Sequence, residues 1–161
     1  MTLDAIPSEP GTYALILSAS GPRRIQVGSL GKLAVRTGCY VYVGSALGPG
    51  GLRGRLSHHL RVTRRPHWHL DYLRRVARPV GLWYCLDAVR REHDWAGMLL
   101  GMPGSSVALR RFGASDCLCE THLVFFASAP ALQEFQRRSA APIHDLLFAA
   151  RSRGSDGATA D

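Results

Sequence analysis

The stretch from Cys39 to Leu60, CYVYVGSALGPGGLRGRLSHHL, changes its hydrophobic period in the middle, and that change restricts the fold more than any other feature. Its first half is an apolar run rich in valine and tyrosine, which has strand character. Glycine and proline in LGPGG then resist helix and ladder alike. From Leu52 the apolar residues recur as Leu52, Leu56 and Leu60, one stripe along a helix. A chain that passes from strand to helix in this way needs a sheet for the first part and a sheet face for the second.

The flanking sequence agrees with a mixed fold. GTYALILSA, from Gly11 to Ala19, is an apolar run of strand length. GPRR and SLGK are turn signals around IQVG and LAVRTGCYVYVGSA, the cadence of a small antiparallel meander. Pro66 suits the first turn of a helix over HWHLDYLRRVA, with Trp68, Tyr72 and Leu73 facing inward. PVGLWYCL, from Pro79 to Leu86, reads as a short strand, and RREHDWAGMLLG as a helix closing at Gly101. THLVFFA reads as a strand, and short closing helices are expected after Ala129 and after Pro142. The fold class expected is α/β (α+β): a small, mainly antiparallel central sheet flanked by helices. Residues 1–150 form a single domain in this reading, and 151–161, small and polar, a disordered tail.

Composition narrows the function. No apolar run is long enough to cross a bilayer, and the opening MTLDAIPSEPG is acidic and proline-bearing, unlike a signal peptide. A cytoplasmic protein without a membrane partner is expected. The net charge is +8, and Lys32 is the only lysine among 20 basic residues. Arginine's planar fork suits phosphate oxygens, so the charge points to a polyanionic partner, although base composition of the genome also skews arginine over lysine. Cys39, Cys85, Cys117 and Cys119 are expected as reduced thiols or metal ligands, since Cys117 and Cys119 are too close for an easy mutual bridge.

Four elements carry chemistry. Tyr13 stands on the first strand in Gly11-Thr12-Tyr13, and Tyr42 on a later strand in Tyr42-Val43-Gly44. Arg55 and His59 share a helix face at i, i+4, beside the leucine stripe. Glu92 opens a later helix, where the positive end of the dipole favours a carboxylate. This ordered set resembles the GIY-YIG nuclease superfamily, whose motif is a Gly-x-Tyr strand, a Tyr-x-Gly strand, an arginine on the following helix and a distant glutamate. HWHLDYL (His67–Leu73) and GASDCLCETHL (Gly113–Leu123) are similar to signatures of its Uri-type endonuclease branch, so the likeness covers roughly Gly11 to Phe126. Thr12 stands where the family has isoleucine, and both are β-branched. Ser45 follows the second motif where some members carry lysine or histidine.

The resemblance implies a metal-dependent endonuclease hydrolysing phosphodiester bonds, with DNA expected as the nucleic-acid partner ahead of RNA and single-stranded or branched forms among the candidate substrates. Tyr13, Tyr42, Arg55, His59 and Glu92 are then the catalytic set. Glu92 would hold Mg²⁺ (or Mn²⁺), which keeps several waters and needs few protein carboxylates. Arg55 would grip the scissile phosphate, Tyr42 or Tyr13 would orient or deprotonate water, and His59 would shuttle a proton or touch phosphate. Tyr40 shares Tyr42's strand face and competes with it. Arg53, His58, Arg61, Arg64 and Arg65 extend a phosphate-tracking surface or form a solvated one.

Blander readings stand beside these. Strand tyrosines pack well without catalysing anything, and the scaffold also suits a non-catalytic nucleic-acid-binding module. His67, His69 and Asp71 could be metal ligands, but i and i+2 on a helix point apart, which favours packing or a nucleic-acid contact by one histidine. Cys117, Cys119 and His122 offer three zinc ligands, with His67 or His69 as a fourth, at a spacing unlike the common Cys-x-x-Cys knuckle. With that ion the chain would be a zinc-stabilised interaction protein; without it, GASD is a tight turn before the last strand.

Overall fold

The computed structural model describes residues 3–149. Its centre is a sheet of six strands: β1 (Gly11–Ala19), β4 (Gly38–Ala46), β5 (Arg78–Leu86), β6 (Ser105–Val107), β7 (Leu123–Phe126) and β8 (His144–Leu147). They lie in the order β6-β7-β4-β1-β5-β8, every neighbouring pair antiparallel. The strands β2 (Arg23–Val27) and β3 (Gly31–Val35) make a separate two-stranded hairpin. The helices are α1 (Gly51–His59), α2 (His69–Leu73), α3 (Glu92–Leu100) and α4 (Leu132–Arg138). The fold is α+β in a single domain, as expected.

Both faces of the sheet are covered, so its central strands are apolar throughout instead of alternating with polar residues. Side chains still alternate between faces with period two. Tyr13, Leu15 and Leu17 of β1 join Tyr40, Leu82 and Phe125 on the face covered by Leu52 and Leu56 of α1, Leu70 and Leu73 of α2, and the β2–β3 hairpin. Ala14, Ile16, Val41, Val43, Trp83 and Val124 join Trp95 and Leu99 of α3 and Phe135 of α4 on the other.

Four expectations need correction. The first four strands are not one meander: β1 pairs directly with β4 over nine residues, and the hairpin between them folds away. Its β2 strand is largely exposed, with too little apolar surface to compete for a place between two fully buried strands. The second helix is shorter than HWHLDYLRRVA and leaves Pro66 outside, because the Asp71 carboxylate accepts the backbone N–H groups of His67 and Trp68, each at 2.9 Å, and starts the helix at His69. Trp68 thus precedes it, and Trp68 and Tyr72 are half-buried, the core positions being Leu70 and Leu73. The segment after Pro142 is strand β8, pairing Gly81–Tyr84 of β5, and not a helix; four residues along a free strand edge satisfy their backbone there. The expected tail 151–161 lies outside the described residues.

Candidate active site

The site is built where β1, β4 and α1 meet. Tyr13 lies opposite Gly44 in the β1–β4 register. A Cβ on Gly44 would stand 2.4 Å from the Tyr13 hydroxyl, so glycine there lets the phenol cross the neighbouring strand towards α1. At that point Tyr13 Oη lies 2.9 Å from His59 Nε2. Tyr42 joins them, its ring centroid 6.4 Å from Tyr13 and 5.7 Å from His59. Tyr13 is 1% exposed and His59 fully covered, whereas Tyr42 is half-buried. Of the two phenols, Tyr42 faces solvent.

Arg55 is held by stacking. Its guanidinium carbon lies 4.6 Å from the centre of the Trp68 ring, which also meets His58 at 4.6 Å and His59 at 4.8 Å. Trp68 is therefore the platform of the site, a part the sequence reading assigned only to packing. Asp71 locks that platform by capping α2 and by meeting His58 Nε2 at 3.2 Å. Buried Arg74 fixes the end of α1, donating to the carbonyls of His59, Leu60 and Ala77 at 2.9, 3.1 and 2.6 Å.

Glu92 comes from the first turn of α3, its side chain 13% exposed. The backbone N–H of Arg91 donates to the Thr12 hydroxyl at 3.2 Å, tying the start of α3 to the residue before Tyr13. Asp87 braces the same turn, accepting from Val89 N–H and from Arg91 Nε, both at 2.9 Å. Glu92 Oε1 pairs with Arg90 and lies 3.7 Å from His93 Nε2.

Burial sets the protonation states. It raises Tyr13 well above the usual phenol value, with Tyr42 and Glu92 adding to the rise and Arg55 opposing it. Burial likewise pushes Tyr42 up to about 12, against Arg55, with Glu92, Asp71 and Asp116 adding to the rise. Both phenols keep their protons at neutral pH. His59 drops to about 3 through burial, then through Arg55 and His58, so its imidazole is neutral. Its Nδ1 is buried without a hydrogen-bond partner. For Asp71, burial alone would raise the carboxyl, but the two backbone donors and His58 hold it below the ordinary value.

The segment between β6 and β7 forms a second wall. Arg111 at φ 65° and Gly113 at φ 68° turn the chain back on itself. Hydrogen bonds from Arg111 N–H to Glu120 O at 2.6 Å and from His122 N–H to Phe112 O at 2.8 Å close the loop. A Cβ on Gly113 would meet Tyr42 Cε2 at 2.8 Å and His122 Cβ at 3.1 Å, so this glycine lets the loop lie against the Tyr42 ring. Beyond it, the ligand atoms of His93, Cys117, Cys119 and His122 all lie within 4.8 Å of one another. The fourth member is therefore His93 and not His67 or His69. His69 Nδ1 instead accepts the Gly113 N–H at 2.9 Å, and His67 is exposed.

The remaining sequence candidates are spread out. Tyr40 leaves the site: its hydroxyl accepts the Arg36 N–H at 2.8 Å and its ring packs 5.0 Å from Phe125. Arg53 donates to Ile6 O at 2.7 Å and holds the N-terminal segment. Arg61, Arg64 and Arg65 are exposed. Arg61 also lines a cavity of about 1090 Å³ with Arg23, Arg74, Arg75 and Arg78, and no acidic residue stands among its described lining. Ser45 is buried, its hydroxyl unpartnered, opposite Thr12 in the β1–β4 register. All four cysteines are free thiols, and among the described residues no helix is long and apolar enough to cross a membrane.

An antiparallel sheet carrying two phenols, an imidazole, a guanidinium and a carboxylate towards one end defines a class of α+β domain with a polar site between helix and sheet. More narrowly, residues 12–143 match the family described as Domain of unknown function DUF123, and the chain belongs to that family. Comparison with curated proteins and with solved structures gives no match.

Proposed function

We propose that this chain is a metal-dependent endonuclease of GIY-YIG type, in its Uri-type branch, hydrolysing phosphodiester bonds in DNA, with single-stranded and branched forms as the leading substrates. One observation carries the reading. Tyr13 and Tyr42 pack against His59 of α1, whose ring meets the Arg55–Trp68 stack, and the hydrogen bond from Arg91 N–H to Thr12 sets the first turn of α3, with Glu92, beside the residue before Tyr13. An acid, a cation and two phenols in one place can hold a metal ion, relieve charge at a phosphate and orient a water, the help that phosphodiester hydrolysis calls for.

The residues divide the task by exposure. Arg55, half-buried and stacked on Trp68, offers paired N–H donors to a phosphate without first losing much side-chain freedom. Tyr42 is the phenol a solvent-borne substrate reaches, and it orients the attacking water. Tyr13, out of solvent reach, positions the neutral His59 ring through their shared hydrogen bond. Glu92, its side chain 13% exposed, suits Mg²⁺ (or Mn²⁺), a hard cation that retains most of its waters and needs few protein carboxylates. That ion, when bound, supplies charge relief at the phosphate and a more acidic water. The free thiols accord with a reducing cytoplasm, and the arginine-lined cavity beyond α1 accords with a polyanion as partner.

A second reading, a non-catalytic nucleic-acid-binding module, draws on the same numbers: Tyr42 at about 12 is a donor, not a base, and Glu92 is engaged by Arg90. A cleavage panel of single-stranded, duplex, flap and branched DNA, plus RNA, with and without Mg²⁺ or Mn²⁺, separates the two. The nuclease reading expects divalent-dependent cutting that Glu92→Gln lowers by roughly 10²–10³-fold while binding persists. Salt-sensitive binding with no turnover under any divalent ion would establish the module instead. Undiminished cutting by Glu92→Gln removes Glu92 from the metal site.

A further inference from the structure

We infer that His93, Cys117, Cys119 and His122 form a tetrahedral Zn²⁺ site that ties the loop between β6 and β7 to the first turn of α3. The inference stands apart from the nuclease reading, since it uses none of the five residues assigned to cleavage. Two thiols and two imidazoles are the donor set that favours zinc over hard cations such as magnesium. Zinc bonds of about 2.3 Å to sulfur and 2.0–2.1 Å to nitrogen put neighbouring ligand atoms roughly 3.3–3.8 Å apart in a tetrahedron. Cys117 Sγ and His122 Nε2 already stand at 3.5 Å, and no pair among the four exceeds 4.8 Å. Small side-chain rotations close the rest.

The local chain supports the same conclusion. Cys117 and Leu118 stand in bends, and the chain there brings the two thiols to one point, within 4.8 Å of each other. Leu118, between the two cysteines, is fully exposed, an unfavourable place for leucine. Directing both thiols inward is what that exposure accompanies. The loop backbone is already fixed around the cluster: Arg111 Nη1 donates to Cys119 O at 2.8 Å, and Val43 N–H to His122 O at 3.0 Å. The His93 and His122 rings lie tilted at 41° with centroids 5.7 Å apart.

The consequence is positional. His93 directly follows Glu92, and Gly113 of the same loop lies against Tyr42. An ion at this point would brace α3 and the Tyr42 wall together from outside the catalytic groups. Zinc is thus a structural clamp here, closed by four protein ligands with no position left for substrate.

The test is metal analysis of the full chain purified without added zinc, followed by replacement with Co²⁺. The expectation is about one zinc per chain, and a cobalt spectrum with thiolate charge-transfer and tetrahedral ligand-field bands, as a closed four-ligand site demands. Cys119→Ser and His93→Ala lose the ion or its tetrahedral spectrum, whereas His67→Ala keeps both. Should a ligand variant fail to fold, the cobalt spectrum of the unaltered chain still decides. Absence of zinc together with no tetrahedral cobalt spectrum from a folded chain overturns the site. Retention of the spectrum by His93→Ala overturns the fourth ligand. A chain that holds zinc and cuts nothing sinks only the nuclease reading; one that cuts with Mg²⁺ but holds no zinc sinks only this one.

Discussion

The two faces of the central sheet are built from the same strands, yet they bury different chemistry. The face under α3 and α4 is packed by Trp83, Trp95, Leu99, Met102 and Phe135, with Phe135 lying 5.1 Å from Trp83 and 4.9 Å from Trp95 between ring centroids. The face under α1 and α2 buries leucines too, but also His59, Asp71, Arg74 and Tyr13. Burying groups that want charge or hydrogen bonds costs stability unless every partner is found, and His59 Nδ1 has none. The contrast teaches which side of the sheet was shaped by something other than packing. One face is filled by packing alone over most of its area; the other holds most of the buried polar groups, and α3 adds Glu92 from its first turn.

That comparison makes Trp95→Ala the largest expected loss of stability. Removing a fully buried indole from a face of aromatic contacts should cost about 3–5 kcal/mol of unfolding free energy. Measured by denaturant unfolding, the loss should be the same at pH 7 and pH 5, since none of the apolar partners named above titrates there. A cost that varied strongly with pH would break the division between the faces.

The polar face should show the opposite behaviour. His59 is surrounded by Tyr13, Tyr42, Arg55, His58, Asp71 and Arg74, and its folded value is about 3 against an ordinary 6.5. Above pH 6.5 the ring is neutral whether folded or unfolded, and its proton linkage is silent. As pH falls below 6.5 the unfolded chain takes up the proton and the folded chain refuses it. Stability therefore drops by about 1.4 kcal/mol per pH unit until the folded value is reached. Asp71, held below its usual value, adds a further loss in the same direction only as pH falls through the carboxylate range. Relative to the parent, His59→Gln should be more acid-resistant by about 2 kcal/mol between pH 7 and pH 5. Parallel stability curves for the two proteins would mean that the ring is solvated.

The legibility of this molecule followed the same division. β1 and β5 could be placed from sequence because strands buried on both sides read as unbroken apolar runs, and α1 because Leu52 and Leu56 recur on one face. β6, three residues of SSV, has no pattern of its own and exists because β7 offers an edge. β8 was hidden because a four-residue segment pairs or coils according to what lies beside it. Among the proposed site residues, Tyr13, Tyr42, Arg55 and Glu92 were picked out by their resemblance, taken in order, to the GIY-YIG motif. Trp68, His93 and Thr12 were not, since each acquires its role only from a partner the fold brings near. Thr12 and Arg91 are 79 residues apart. No window of sequence contains that hydrogen bond.

Thr12 therefore gives the smallest and sharpest test, because it is where the faces join. Its side chain points away from Tyr13, into the α3 side, and its hydroxyl accepts the Arg91 N–H one residue before Glu92. Thr12→Val keeps shape and β-branching and removes only the acceptor, so the expected stability loss is about 1 kcal/mol. On the proposed nuclease reading, if the hydroxyl merely completes a buried strand, cleavage should track the folded fraction and hardly change. If it registers α3 against β1, the Glu92 carboxylate drifts relative to the phenols, and cleavage should fall several-fold more than stability requires, with nucleic-acid binding unaltered. Side-by-side unfolding and single-turnover cleavage of parent and variant decide between these, and equal rates per folded molecule would leave the threonine a packing residue.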